Sequence, residues 1–468
     1  MHANPPAPAV PAIPPRRGRF ERLLHRTYFR CSGCHHFIFR RVRPAGVTLI
    51  LVLVLAACLG IGHERGSIYQ LFSLCLAMGL IALPWAMCRR APLEAGREVP
   101  RYATAGEPLR YAVWVRHTGQ RRLSRAWLAE SPPDARPGIQ EFSNLREPGE
   151  EERNRFDRAF AYFRWQWLML RNRLFTDGSS QDEVRLKPGG QTRVFIELTP
   201  QRRGVIRLHD LRVLLPDPFG LLQKCARVKA PAATLLVLPR RFPIPPIELP
   251  GGAAFKITGE TNTNAIGNSG EFVGLRDYRP GDPLRQIHWK SWARTGRPIV
   301  KELEDTFYPR YGLVLDTLST DRTDARFEEA VSVAASFAST IDTSQSLLDL
   351  MFVKNEAHIF TAGRGLERAE KLLEVLAGVT PERGGDLSAL GQLVLRHRDD
   401  LTSCLVVLNG WDETRAALLR TLERGGVICA PIIIGHGPPP AGVPGHWLES
   451  GHIARDLKRL PPRLSATT

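Results

Sequence analysis

Two long apolar runs stand near the beginning of the chain, at residues 45–62 and 68–88, and neither contains a charged side chain. Each is close to the length of about 20 residues that an α-helix needs to cross a bilayer. The pattern predicts a transmembrane helical hairpin over residues 45–90. A cleavable signal peptide and a buried core hairpin are alternatives, but the long basic region before the first run and the second run behind it disfavour a signal peptide.

The first 44 residues are rich in proline, alanine and arginine. Residues 1–15 are too poor in large apolar side chains to build a core, and residues 16–44 carry nine arginines against the single acid Glu21. We expect a disordered basic tail over residues 1–44. The positive-inside rule then predicts a two-pass protein of the inner (cytoplasmic) membrane, with both termini and the soluble domains in the cytoplasm and the lipid bilayer as a partner.

Residues 93–250 alternate between apolar and polar positions, as in residues 111–116 and 193–198. A period of two indicates half-buried strands, and the turn signals between them favour an antiparallel, Ig-like β-sandwich. Residues 150–175 interrupt the pattern with a predicted helical insertion. Its three- and four-residue steps predict an aromatic face, which either packs on the sandwich or lies on the lipid surface, made of Phe156, Phe160, Phe163, Trp167 and Leu170.

Strand-like and helix-like segments alternate over residues 310–468. This order predicts an α/β, Rossmann-type domain with a mainly parallel sheet and helices on both faces. In such a domain the functional site lies at the carboxyl ends of the strands. Asp316 follows the first strand and is therefore expected at that edge.

The segment between these domains, residues 251–309, contains the densest mixture of turn residues, charges and tryptophans. Pro280 and Gly281 predict a type II turn, and Asp282 is expected to cap a helix that ends at Gly296. We expect Arg285 and Arg294 to pair with acids and Trp289 to fill the seam where the linker meets the C-terminal domain. The residues given a mainly structural role are Arg276, Tyr278, Gly281, Asp282, Arg285, Trp289, Lys290 and Arg294.

Composition narrows the functional classes. The net charge of +17 is compatible with nucleic acid, but no groove-reading module accompanies the basic residues and acids stand beside them, so no nucleic-acid partner is expected. The eight cysteines are irregularly spaced and do not predict a disulfide framework. Serine-nucleophile, phosphate-loop and catalytic-zinc motifs are not found, and we therefore do not expect an enzyme.

The run at residues 270–304, preceded by PDPFGLL (216–222), LLVLPRR (235–241) and two apolar segments, resembles the bacterial domain-of-unknown-function-58 family. The resemblance implies a von Willebrand factor A-like C-terminal domain with a Mg²⁺ site that contains an Asp-x-Ser-x-Ser motif. Here Asp316 matches the motif, and Leu318 and Thr320 stand where it has serines. Asp386 stands in place of a later threonine and Asn409 in place of a later aspartate, so the implied site is degenerate.

The resemblance also implies a partner. Members are associated with MoxR-type AAA+ ATPases, which suggests a membrane-tethered interaction or adaptor module that acts in the assembly or maturation of other proteins. A structural brace of a membrane assembly, without metal gating, is an alternative. A metal-dependent hydrolase is a less favoured one.

Overall fold

The computed structural model describes residues 18–60, 66–176, 178–250, 271–304, 309–319, 325–341, 346–354, 356–362, 366–382 and 387–464. The chain divides into two compact units, Met1–Leu238 and Pro239–Thr468. Thr320 and Asp386 lie outside the described residues, as do residues 1–17 of the predicted tail.

The first unit begins with three helices, α1 (Arg19–Phe39), α2 (Pro44–Gly60) and α3 (Gly66–Cys88). Among the described residues, α3 is the one helix that is long and apolar enough to cross a membrane, since α2 has 17 residues. The predicted pair of transmembrane helices is thus reduced to one candidate span and a shorter apolar helix. The expectation of disorder is wrong for residues 19–39, which form α1.

Two sheets follow the helices. Their strands are β1 (Leu93–Glu98), β2 (Tyr102–Thr104), β3 (Leu109–His117), β4 (Leu123–Glu130), β5 (Gly178–Ser180), β6 (Val184–Leu186), β7 (Gln191–Leu198), β8 (Gly204–Leu208), β9 (Leu211–Pro216), β10 (Gln223–Arg227) and β11 (Ala233–Leu238). The larger sheet is antiparallel, in the order β1-β3-β7-β5-β4-β9-β10 with β6 beside β4, and the smaller has the order β2-β11-β8. Val113 and Ile196 of the larger sheet and Ile206 and Leu235 of the smaller share one buried core. The antiparallel strands predicted for this region are confirmed.

The insertion is built differently from the prediction. Helix α4 (Ile139–Asn144) precedes it. The insertion itself contains α5 (Arg155–Phe160) and α6 (Tyr162–Asn172), and Ala161, at φ 48°, breaks the expected continuous helix. Because the break redirects the chain, Phe156 and Leu170 are exposed, while Phe142, Trp165 and Leu168 form a small core. That core is completed by Leu24 and Tyr28 of α1.

The second unit contains a two-stranded ribbon and a six-stranded sheet. The ribbon pairs β12 (Glu271–Asp277) with β13 (Ile299–Glu304) and encloses α7 (Trp289–Thr295). The sheet strands are β14 (Arg310–Leu315), β15 (Leu347–Lys354), β16 (Glu356–Ala362), β17 (Ser403–Asn409), β18 (Cys429–Gly435) and β19 (His446–Glu449). The sheet helices are α8 (Ala325–Thr340), α9 (Leu366–Gly378), α10 (Leu387–Arg396), α11 (Glu413–Arg424) and α12 (Ile453–Leu457).

The six strands have the order β16-β15-β14-β17-β18-β19, and every neighbouring pair is parallel except β15 with β16. This is the strand order of a doubly wound α/β fold. Every residue of β17 is buried, although successive side chains point to opposite faces of the sheet. Helices α10 and α11 pack on one face, and α8 packs against β14, β17 and β18. The predicted α/β architecture is confirmed.

Candidate functional site

The carboxyl edge of the six-stranded sheet contains the topological switch point, where the chain leaves β14 toward β15 on one side and β17 on the other. Doubly wound proteins bind ligands at this position. Asp316 follows β14 directly, and Asn409 is the last residue of β17. The structure therefore brings together the two described members of the predicted metal site.

Asp316 is fully buried, and protein donors occupy both of its carboxylate oxygens. Oδ1 accepts the backbone N–H of Leu318 at 2.9 Å. Oδ2 accepts the backbone N–H of Asn409 at 3.0 Å and the Nε–H of Arg415 at 2.7 Å. Asp316 thus connects the ends of β14 and β17 to helix α11.

Arg415 supplies a cation from the first turn of α11. One terminal nitrogen of its guanidinium donates to the carbonyl of Leu318 at 3.1 Å. The side-chain amide of Asn409 donates to the same carbonyl at 3.2 Å. Asp412 accepts the backbone N–H of Arg415 at 2.9 Å as the cap of α11, and it also forms an ion pair with the Arg415 guanidinium. We call Asp316, Leu318, Asn409, Asp412 and Arg415 the carboxyl-edge cluster.

The charges in this cluster influence one another strongly. Complete burial raises the pKa of Asp316, and the Arg415 guanidinium and the two backbone N–H groups oppose that rise. Burial alone would lower the pKa of Arg415, but the carboxylates of Asp316 and Asp412 outweigh burial and raise it. The guanidinium is therefore held firmly in its charged form beside Asp316.

The described residues do not fit a Mg²⁺ ion at Asp316. A hard cation needs free oxygen ligands, whereas both oxygens of Asp316 already accept hydrogen bonds and Arg415 places a positive charge beside them. Leu318 brings no side-chain oxygen. Within the parts of the chain that the structure describes, no group of three or more His, Cys, Asp or Glu side chains is arranged to hold a metal.

The ribbon of the second unit contains the signature segment. Asp282 accepts two hydrogen bonds from the guanidinium of Arg276, both at 2.7 Å, and one from the backbone N–H of Arg279 at 2.8 Å. These bonds lower the pKa of Asp282 to about 2. The N–H of Asp282 also donates to the carbonyl of Arg279, and Gly281 has φ 109°, as the predicted type II turn requires.

The predicted helix cap at Asp282 is wrong. Pro283 has an extended conformation, at ψ 126°, so the chain forms only a short 3₁₀ turn before α7 begins at Trp289. Asp282 instead closes its own turn and ties it to Arg276 on β12. Gly296 ends α7 in the left-handed conformation, at φ 69°, as expected.

Trp289 does not fill a seam. Its side chain is 64% exposed and stacks on Trp292, with ring centroids 5.2 Å apart. Leu284 is 67% exposed. The side chains of Arg285, Lys290 and Arg294 are also exposed. The pairing of Arg285 and Arg294 with acids stays a prediction, because the side chains of the neighbouring acids Glu302 and Glu304 lie outside the described residues. We call the exposed side chains of Leu284, Arg285, Trp289, Lys290 and Arg294 the signature surface.

Sequence reasoning missed Arg415 and Asp412. A signal was present, because Asp412 stands three residues before Arg415 at the start of an amphipathic segment that follows β17. That pattern predicts a helix cap. The partnership with Asp316 joins residues 99 positions apart, and local spacing does not reveal it.

Comparison with known proteins finds similarity in the second unit. Residues 274–425 match the family described as "Protein of unknown function DUF58". The chain is also 29% identical, over 191 residues, to the "Uncharacterized protein YeaD" of Bacillus subtilis (strain 168). That match covers 39% of this chain and 44% of the relative, so the chain spans less than half the length of the curated protein it matches.

Two solved structures resemble parts of the chain weakly. The CARDB domain of PF1109 from Pyrococcus furiosus is 12% identical, with 31% of this chain and 94% of that domain covered and a TM-score of 0.16. Proximal thread matrix protein 1 from the mussel byssus is also 12% identical, with 32% and 46% covered and a TM-score of 0.26. Scores this low do not establish a shared overall fold.

Proposed function

We propose that the protein is a membrane-anchored interaction module that works with a MoxR-type AAA+ ATPase in the assembly or maturation of other proteins. In this proposal the second unit is a von Willebrand factor A-like domain that needs no metal ion. Arg415 supplies within the chain the positive charge that Mg²⁺ would otherwise bring to Asp316. The first unit is an Ig-like sandwich that holds the anchor.

The apolar helices support the anchoring. Large apolar side chains cover the outside of α2 and α3, as at Leu51, Leu55 and Leu80, whereas the small residues Ala56 and Ala82 are buried. Small residues at the contact let two helices approach closely in a lipid environment. The nine arginines of residues 16–44 favour a cytoplasmic location for the polar end of this hairpin.

The PDPFGLL loop fastens the polar end of the hairpin to the first unit. Asp217 accepts the backbone N–H of Leu221 at 2.8 Å and so shapes the loop. The carbonyl of Leu221 accepts the N–H of Arg43, immediately before α2, at 2.9 Å. Lys224 donates to the carbonyl of Met87, at the end of α3, at 2.7 Å. One loop and its neighbouring strand are therefore hydrogen-bonded to the chain at the polar ends of both helices.

The signature surface is the observation that carries the interaction proposal. It exposes a tryptophan and a leucine among cationic side chains, within the stretch that matches the family. Exposed aromatic and apolar groups of this size mark interaction sites, and tryptophan and arginine contribute most to binding energy in protein interfaces. The cations favour a partner surface rich in carboxylates.

The experiment is a retention assay. The full chain, solubilised in detergent, is immobilised and exposed to the purified MoxR-type ATPase from the same genome. Wild type should retain the ATPase, and the double variant Leu284→Ser/Trp289→Ala should lose most of it, since truncating a central aromatic contact costs about 2 kcal/mol or more. Ile428→Ser is the matched control, because Ile428 is 41% exposed and lies outside the signature surface.

The outcomes separate the proposals. If a folded wild-type chain retains no ATPase, the partner is wrong and a structural brace becomes the better account. If both variants retain as much ATPase as the wild type, the partner is correct but the signature surface is not its binding site.

A further inference from the structure

The first unit contains a cavity of about 610 Å³ between α1, the insertion and the edge of the larger sheet. This volume is typical of small-molecule sites. Its charged lining is dominated by arginines, namely Arg40, Arg41, Arg136, Arg173 and Arg212, together with the acids Asp134 and Asp210. The lining therefore has an excess of three positive charges, before the histidines are counted.

Two of the arginines neutralise the two acids. Arg136 donates to Asp134 at 2.6 Å, and Arg212 donates to Asp210 at 2.7 Å. Arg41, just after the end of α1, forms no ion pair with either of these acids. An anion is the ligand class that this lining favours.

Arg41 is the cavity residue that points most directly to a ligand. Its guanidinium carbon lies 3.6 Å from the centre of the Phe37 ring, which fixes the plane of the side chain. One of its terminal nitrogens is buried and has no hydrogen-bond partner among the described residues. A buried guanidinium N–H without an acceptor is costly, and phosphate and carboxylate oxygens are the acceptors that its planar geometry suits.

Residues in or beside the cavity lining are connected to the polar ends of both apolar helices. Arg41 stands three residues before α2, and its carbonyl accepts the N–H of Gln223 at 2.7 Å. Cys225 on the same strand lines the cavity, and Lys224 between them bonds to the last turn of α3. Phe37, Met169 and Leu170 add apolar wall. A ligand with a phosphate group and an apolar body would match both kinds of lining.

We propose that this cavity binds the phosphodiester headgroup of an anionic phospholipid, with Arg41 as the principal contact to phosphate. Basic pockets beside membrane helices bind anionic lipid headgroups in this manner. The inference rests on the proposed membrane anchoring of the hairpin. It adds a specific lipid class and a specific binding residue to that anchoring.

The test is native mass spectrometry of the full chain in detergent, with phosphatidylglycerol or phosphatidylcholine added. Phosphatidylglycerol should give the more abundant bound species. Arg41→Gln should weaken its binding about fivefold, as expected for one juxtamembrane charge. Arg41→Lys keeps the charge without the planar fork, so its affinity for phosphatidylglycerol should lie between those of the wild type and Arg41→Gln. Arg207→Gln is the control, because it makes the same charge change at an exposed position on β8 that does not itself line the cavity.

Each result bears on the inference. Equal binding of both lipids, or equal losses in Arg41→Gln and Arg207→Gln, would overturn it. Complete displacement of phosphatidylglycerol by millimolar inorganic phosphate would assign the cavity to free phosphate instead of lipid. Flotation with vesicles of pure phosphatidylcholine tests the anchoring itself, so a chain that floats without preferring phosphatidylglycerol contradicts only the lipid site.

Discussion

Replacing Arg415 by methionine removes the cation from a fully buried carboxylate. Asp316 has no exposed side-chain surface, and the side chain of Arg415 is only 11% exposed. Removing one partner of such a pair costs about 3–5 kcal/mol, because the remaining charge stays buried without compensation. We therefore expect Arg415→Met to destabilise the second unit by about that amount.

Native-state hydrogen exchange of the full chain in detergent measures this loss locally. The amides of β17, whose residues are all buried, report on the core beside the carboxyl-edge cluster. A loss of about 3–5 kcal/mol corresponds to exchange that is roughly 10²- to 10⁴-fold faster, since each factor of ten is about 1.4 kcal/mol.

Two further variants make the experiment decisive. Arg420→Met removes an arginine from the same helix, but the side chains of the Arg420–Glu413 pair are 51% and 83% exposed, so we expect a change below about 1 kcal/mol. Asp316→Asn/Arg415→Met removes both charges and should recover much of the lost protection. If Arg415→Met exchanged no faster than Arg420→Met, the role assigned to the buried pair would be refuted.

Three other predictions concern separate parts of the chain. A Cβ at residue 46 would meet the carbonyl of Leu221, so Gly46→Ala should destabilise the base of the hairpin by about 1–3 kcal/mol, measured by hydrogen exchange of the nearby amides. Gly79→Ala is the control and should not destabilise the hairpin, because the space around Gly79 is open. Asp282→Asn should open the signature turn at neutral pH. The pKa of Asp282 is lowered from 3.8 to about 2, so the wild-type carboxylate loses its charge as the pH falls through this range. The hydrogen-exchange rates of residues 276–287 in Asp282→Asn and in wild type, corrected for intrinsic rates, should therefore converge toward pH 2. Magnesium and a chelator should leave wild-type exchange at the carboxyl-edge cluster unchanged, and added protection by magnesium would contradict the metal-free assignment.

Sequence reasoning succeeds where a short pattern determines the conformation. Pro280 and Gly281 specify their turn, and Gly296 ends its helix, because each conformation depends on the backbone preferences of one or two residues. The position of Asp316 at the carboxyl edge follows from strand order in a parallel sheet. These features need no knowledge of distant contacts.

Prediction from sequence fails where two local signals have equal strength or where a distant residue determines the conformation. Asp282 before a proline has the pattern of a helix cap, but the guanidinium of Arg276 on the neighbouring strand binds its carboxylate instead. Helix α1 lies in a basic segment, yet Leu24 and Tyr28 are held by the insertion more than a hundred residues later. Arg415 reaches Asp316 across 99 residues. Local spacing does not reveal the partners of α1 or of Asp316.

Site-specific photo-crosslinking at Trp289 tests the central claim most directly. A photoreactive phenylalanine analogue replaces Trp289 in cells that express the full chain and the MoxR-type ATPase, and a parallel strain carries it at Ile428. The account predicts a crosslink to the ATPase from position 289 and none from position 428. A crosslink from position 428 alone, or none from either position in a membrane-inserted and folded chain, would contradict it.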